Sequence, residues 1–168
     1  MKFTKKDHKE TEIIADIIKE TDHSSIKELS EIFDEIKVYQ PILISIFMGY
    51  KEVLSYEELD ELAKDLIIIW KFFSDKPNSK KIEITESHLK KFDKKNADFF
   101  NYLSGEDADE MRKTTEVVLE TIDSKAILTA LIYRVNEKSI FKKMNQDRKS
   151  EFIMELKTLI DCFEEINK

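Results

Sequence analysis

Apolar residues recur at intervals of three and four along nearly the whole chain. Ile13, Ile14, Ile17 and Ile18 form a narrow stripe that predicts a first helix over about 7–20. The polar run 21–24 breaks it. Ser24 or Ser25 can then cap a second helix, because a serine oxygen accepts a free N–H of the first turn. That helix carries Ile26, Leu29, Ile32, Phe33 and Ile36 on one face.

Pro41 suits the first turn of a third helix, where its missing N–H costs nothing. Residues 41–54 are apolar nearly all round, which predicts burial on most sides. Gly49 within this stretch suggests a close helix approach, since glycine otherwise weakens a helix by about 1 kcal/mol. Ser55 and Glu58 match a capping box. They open a fourth helix over about 56–73, whose second half is Ile67, Ile68, Ile69, Trp70, Phe72 and Phe73 around one lysine. The third and fourth helices read as an antiparallel pair at the centre of the fold, with Trp70 buried.

A loop with Pro77 spans 74–84 and is the one place where a sub-boundary fits. Leu89, Phe92, Phe99 and Leu103 predict a fifth helix over about 86–103, closed by Gly105. A sixth over about 106–122 starts on Glu106, Asp107, Asp109 and Glu110, acids that favour a helix N-terminus. Ile127, Leu128, Leu131, Ile132 and Val135 mark a seventh. The stretch 136–146 reads either as its continuation or as a short helix held by Ile140, Phe141 and Met144. Phe152, Leu156, Leu159, Phe163 and Ile166 mark the last, over about 147–166.

Composition supports this reading. The 168 residues include only two glycines and two prolines, too few to punctuate a sheet protein of this size. The expected fold is all-α: a single compact domain, 1–168, of seven or eight amphipathic helices around a central apolar pair. No internal repeat of fixed period is present, which argues against a solenoid.

Charge narrows the function classes. The net charge is −7, and the 28 basic residues include only three arginines, Arg112, Arg134 and Arg148. Arginine is the preferred partner of phosphate and guanine, so nucleic-acid binding is not expected. The most basic stretch, 134–149, combines Arg134, Lys138, Lys142, Lys143, Arg148 and Lys149 with Glu137 and Asp147, and reads as a solvated face. The acidic start of the fourth helix, Glu57, Glu58, Asp60 and Glu61, reads as dipole complementation. The longest uncharged run, 38–50, is too short to cross a bilayer. With no apolar leader and one cysteine, a soluble cytoplasmic location is expected.

Candidate chemistry is sparse. Glu20 and His23 give one Glu-x-x-His spacing, across the expected break, and no second copy exists. His8, His23 and His88 read as solvated or capping side chains, so no metal and no cofactor are expected. Cys162 lies beside the apolar stripe of the last helix and reads as structural. Two glycines cannot write a phosphate loop. Asn96 and Thr115 sit within apolar stripes, where a polar side chain needs partners. They read as interhelical hydrogen bonds or as polar spots in a ligand pocket. Tyr39, Gln40 and Tyr50 border the apolar third helix, and tyrosine is enriched at interfaces. The candidate binding residues are therefore Tyr39, Gln40, Tyr50, Asn96 and Thr115. The function these features favour is a non-enzymatic protein-interaction module of inhibitor, immunity or adaptor type, with a protein partner. The alternative is a helical small-ligand binder or enzyme with a site assembled from dispersed residues.

Overall fold

A computed structural model describes residues 4–104 and 122–168. The helix expected over 106–122, apart from the buried Ile122, lies outside the described residues, as do Gly105 and the candidate Thr115. Of the described residues 79% are helical, and no strand occurs among them.

The helices are α1 (Lys5–His23), α2 (Ile26–Tyr39), α3 (Pro41–Tyr50), α4 (Tyr56–Phe73), α5 (Glu86–Ser104), α6 (Lys125–Glu137), α7 (Ser139–Lys142) and α8 (Gln146–Ile166). Three of them open on a reciprocal capping box: Thr4 with Asp7, Ser25 with Glu28, and Ser55 with Glu58. Asn145 caps α8. The stretch 136–146 resolves into the end of α6, the short α7 and the turn into α8. Phe141 and Met144 are its buried anchors.

The break after α1 comes later than the polar run implies. Thr21 is buried and stays helical, and the His23 ring bonds the Lys19 carbonyl at 2.7 Å. The Ser24 hydroxyl donates to the Glu20 carbonyl at 2.9 Å, so His23 and Ser24 satisfy the last turn and the chain leaves the helix only at Ser24. Glu20 and His23 therefore lie on one helix and do not straddle a break.

The core sits on α4, which packs against α1, α2, α3, α6, α7 and α8. From Asp65 to Phe73 only Lys71 is not buried. Trp70 is 1% exposed. Its ring lies between Tyr39, stacked at 6.1 Å, and Phe163 at 6.4 Å, and Phe73 stacks on Phe163 at 4.9 Å. Each fully buried side chain of this size contributes about 1.5–3 kcal/mol.

The third helix does not match its expected environment. α3 packs on α2 and α4, but Leu43 is its one buried residue, and Met48 is 51% exposed. The helix is short and packs mainly on two neighbours, with only Tyr50 at its end reaching α8, so an apolar circumference cannot all be covered. Gly49 is exposed, and a Cβ placed there would meet nothing within 4 Å. Close helix approach is thus not its role.

Candidate functional site

The candidates read from the sequence divide by position. Gln40 is fully buried. Its Nε2 donates to the carbonyls of Ser79 (2.7 Å) and Ile82 (2.8 Å), and its Oε1 accepts from the Ile84 N–H (2.8 Å). One amide thus fixes the 74–85 connection to the α2–α3 junction. Tyr39 is half-buried against Trp70. Tyr50 donates to the Glu155 carboxylate and packs edge-on against Phe152. Burial and the neighbouring carboxylates hold its phenol well above the usual range.

Asn96 joins α5 to α8. Its Nδ2 donates to Thr158 Oγ1 and Asp161 Oδ2, both at 3.0 Å, and its Oδ1 accepts from Lys157 Nζ at 2.8 Å. Lys157 closes the ring on Asp161 at 2.6 Å. Each polar group in this buried set has a partner. The structure does not bring Tyr39, Gln40, Tyr50 and Asn96 together in one cavity.

A larger polar centre arises where sequence reading saw separate surfaces. Arg134, on α6, is 5% exposed and does not belong to a solvated basic face. Its Nε donates to Asp65 Oδ1 (2.9 Å), its Nη1 to Asp22 Oδ2 (2.7 Å) and its Nη2 to Glu61 Oε2 (2.9 Å). Lys138 adds contacts to Glu61 at 3.1 Å and Asp22 at 3.4 Å. One guanidinium therefore ties α1, α4 and α6. Asp65 is fully buried, and its Oδ2 has no partner among the described residues. Burial pushes its carboxyl up to about 7, against the pull of Arg134. The sequence did carry a signal. Asp65 sits between Leu62 and Ile69 on an apolar stripe, and Arg134 between Leu131 and Val135; two lone opposite charges on buried faces need each other.

Two open troughs flank this centre. The first runs between α1 and α6, has a volume of about 660 Å³, and is walled by Thr11, Ala15, Ile18, Ala126, Ala130 and Tyr133, with Asp22, Arg134 and Lys138 at one end. Small residues on both helices leave the space. The second, about 630 Å³, lies between the starts of α2 and α4 and the start of α7. Ile26, Leu29, Tyr56 and Ile140 line it, with Glu57, Asp60, Glu61 and Lys64. Asp22 and Lys138 line both, so the troughs meet above Arg134. Three large side chains stand exposed there: Ile26 at 85%, Tyr56 at 83% and Tyr133 at 68%. Ile26 and Tyr56 each follow a capping serine, at the first helical position, which turns them outward.

The other reactive groups are occupied. His88 Nδ1 accepts the Thr85 N–H at 3.0 Å at the start of α5. Cys162 is buried, and burial with nearby Asp161 pushes its thiol up to about 12, so no thiolate forms near neutral pH. No group of three or more His, Cys, Asp or Glu side chains placed to hold a metal ion occurs among the described residues. No helix among them is long and apolar enough to cross a membrane. The chain matches no family model, no curated protein and no solved structure.

Proposed function

We propose that this chain is a non-enzymatic protein-interaction module, of inhibitor, immunity or adaptor type, that holds an elongated segment of a protein partner along the joined troughs. The observation that carries this reading is the exposure of Ile26, Tyr56 and Tyr133 on the trough walls. Water around three large apolar bodies is released when a partner covers them, and tyrosine brings contact area at little entropic cost. The polar centre beneath gives the surface a rigid floor.

The apolar lining between α1 and α6, with charged groups at one end, is what favours the alternative of a small-ligand binder. That trough is open along its length. A small molecule there would keep much of its surface in water, whereas ligand pockets enclose most of it. The open form suits a polypeptide better.

Photo-crosslinking tests the proposal. A photoreactive residue is placed in the full chain at position 56, 133 or, as an exposed control in the 74–85 connection, 81. The expected result in the native host is a discrete adduct from 56 and from 133, and none from 81. Adducts from all three alike, or from none, would overturn the reading.

A further inference from the structure

We infer that the segment held in the joined troughs is a basic amphipathic helix, an inference that rests on the interaction reading above. The first trough has the dimensions of a helix seat. From Thr11 to Asp22 its α1 wall rises about 16 Å, or three helical turns. Ala15, Ala126 and Ala130 keep its floor low, so another helix can approach closely. Ile18 and the exposed Tyr133 offer apolar contacts along it, and Ile26, Leu29, Tyr56 and Ile140 extend them into the second trough.

Charge selects the polar side of the occupant. At the junction and along the second trough four carboxylates line the surface (Asp22, Glu57, Asp60 and Glu61), with the buried Asp65 behind them, against three cations, Lys64, Arg134 and Lys138. The cations are spent on this group: Lys64 on Asp60 and Glu61, Arg134 on Asp22, Glu61 and Asp65, and Lys138 on Asp22 and Glu61. Glu57 has no cation partner among the described residues, and Asp60 is half exposed beyond its lysine. The unspent charge at the rim is therefore negative. An acidic occupant would meet repulsion there, and a neutral one would leave the carboxylates without partners. Lysines or arginines one turn apart, beside an apolar face, would match both the rim and the floor.

The test uses two synthetic peptides of about 18 residues, or five turns. They share one Leu/Ala face and carry either lysines or glutamates on the other. Binding to the full chain is read by fluorescence anisotropy at about 0.15 M salt, where long-range attraction is screened. The lysine peptide should bind at least about tenfold tighter than the glutamate peptide. The pair Glu57→Lys with Asp60→Lys should reverse that preference. The pair Glu83→Lys with Asp98→Lys makes the same charge change at exposed positions outside both troughs and should leave it in place. Tyr133→Ser should weaken both peptides while the circular dichroism of the protein stays unchanged.

Equal binding of the two peptides would overturn the inference. So would a preference that both charge pairs shift alike, since that would report only the overall acidity of the chain. The two readings fail separately. A discrete adduct from position 133 that the lysine peptide does not displace would overturn the basic helix and leave the interaction module standing. Loss of the adducts at 56 and 133 would remove the module itself.

Discussion

α3 and the second half of α4 are both almost purely apolar, yet one lies at the edge of the molecule and the other at its centre. From Pro41 to Tyr50 only Leu43 is buried, whereas from Asp65 to Phe73 only Lys71 is not. Hydrophobicity does not separate the two. The number of neighbours does: α3 packs mainly on two helices, with Tyr50 alone reaching α8, whereas α4 packs on six. An apolar helix is buried only where enough other helices surround it, and that depends on the whole topology. The exposed apolar surface left on α3 is a result of its place at the edge.

The contrast can be broken first at Trp70. Replacing it with alanine should lower unfolding stability by about 3–5 kcal/mol, the range for a large buried aromatic. Chemical denaturation measures this, and the native protein should show a blue-shifted Trp emission. An unperturbed midpoint would place Trp70 outside the core and erase the difference between the two helices.

A smaller effect is expected where α3 ends. Tyr50 donates to Glu155, whose carboxyl is pushed up to about 7, first by burial and then by Asp93. The folded value lies above the ordinary one of 4.5, so ionised Glu155 destabilises the fold. That cost is absent below about pH 4.5 and complete above about pH 7. Glu155→Gln, which can still accept from Tyr50, should be more stable than wild type above pH 7 by up to about 3 kcal/mol. The gap should close as pH falls to 4.5. Parallel stability curves from pH 4 to 8 would show that the end of α3 is as open to water as its middle.

The smallest effect sharpens the contrast. Gly49→Ala adds a methyl group that meets nothing within 4 Å, so helix propensity alone should act and raise stability by up to about 1 kcal/mol. A loss of stability in thermal unfolding would mean that α3 is gripped on that side after all.

Much of the fold was legible because it is written locally. Periodic stripes, the serine caps at Ser25 and Ser55, and the scarcity of glycine and proline each act within a few residues of themselves, so the helices and the burial of Trp70 could be read directly. The role of Gly49 could not, because it depends on what lies opposite. The candidate surface was less legible for the same reason. Ala15 and Ala130 are 115 positions apart in sequence, and nothing local says that both face one gap. Ile26 was grouped with the apolar stripe of the second helix, and Tyr56 carried no signal beyond its place after Ser55. Their exposure comes from following a cap directly, where the first residue of a helix points away from the body. Arg134 was grouped with nearby lysines in sequence, although its partners are the distant Asp22, Glu61 and Asp65.

The position of Arg134 also governs which parts of the molecule can open. Asp22 is one residue from the end of α1, and Arg134 is in the last turn of α6. Helix ends ordinarily fray at little cost, and their amides exchange quickly with solvent. Here fraying the end of α6 would pull the guanidinium away from Glu61 and Asp65 and leave the buried Asp65 without its counter-charge, and fraying the end of α1 would take Asp22 from the same guanidinium. The ends of α1 and α6 are therefore expected to open together with the middle of α4, where Glu61 and Asp65 lie, as one unit. Their last amides should then show hydrogen exchange as slow as residues well inside the helices, which leaves the floor beneath the two troughs among the least mobile parts of the protein.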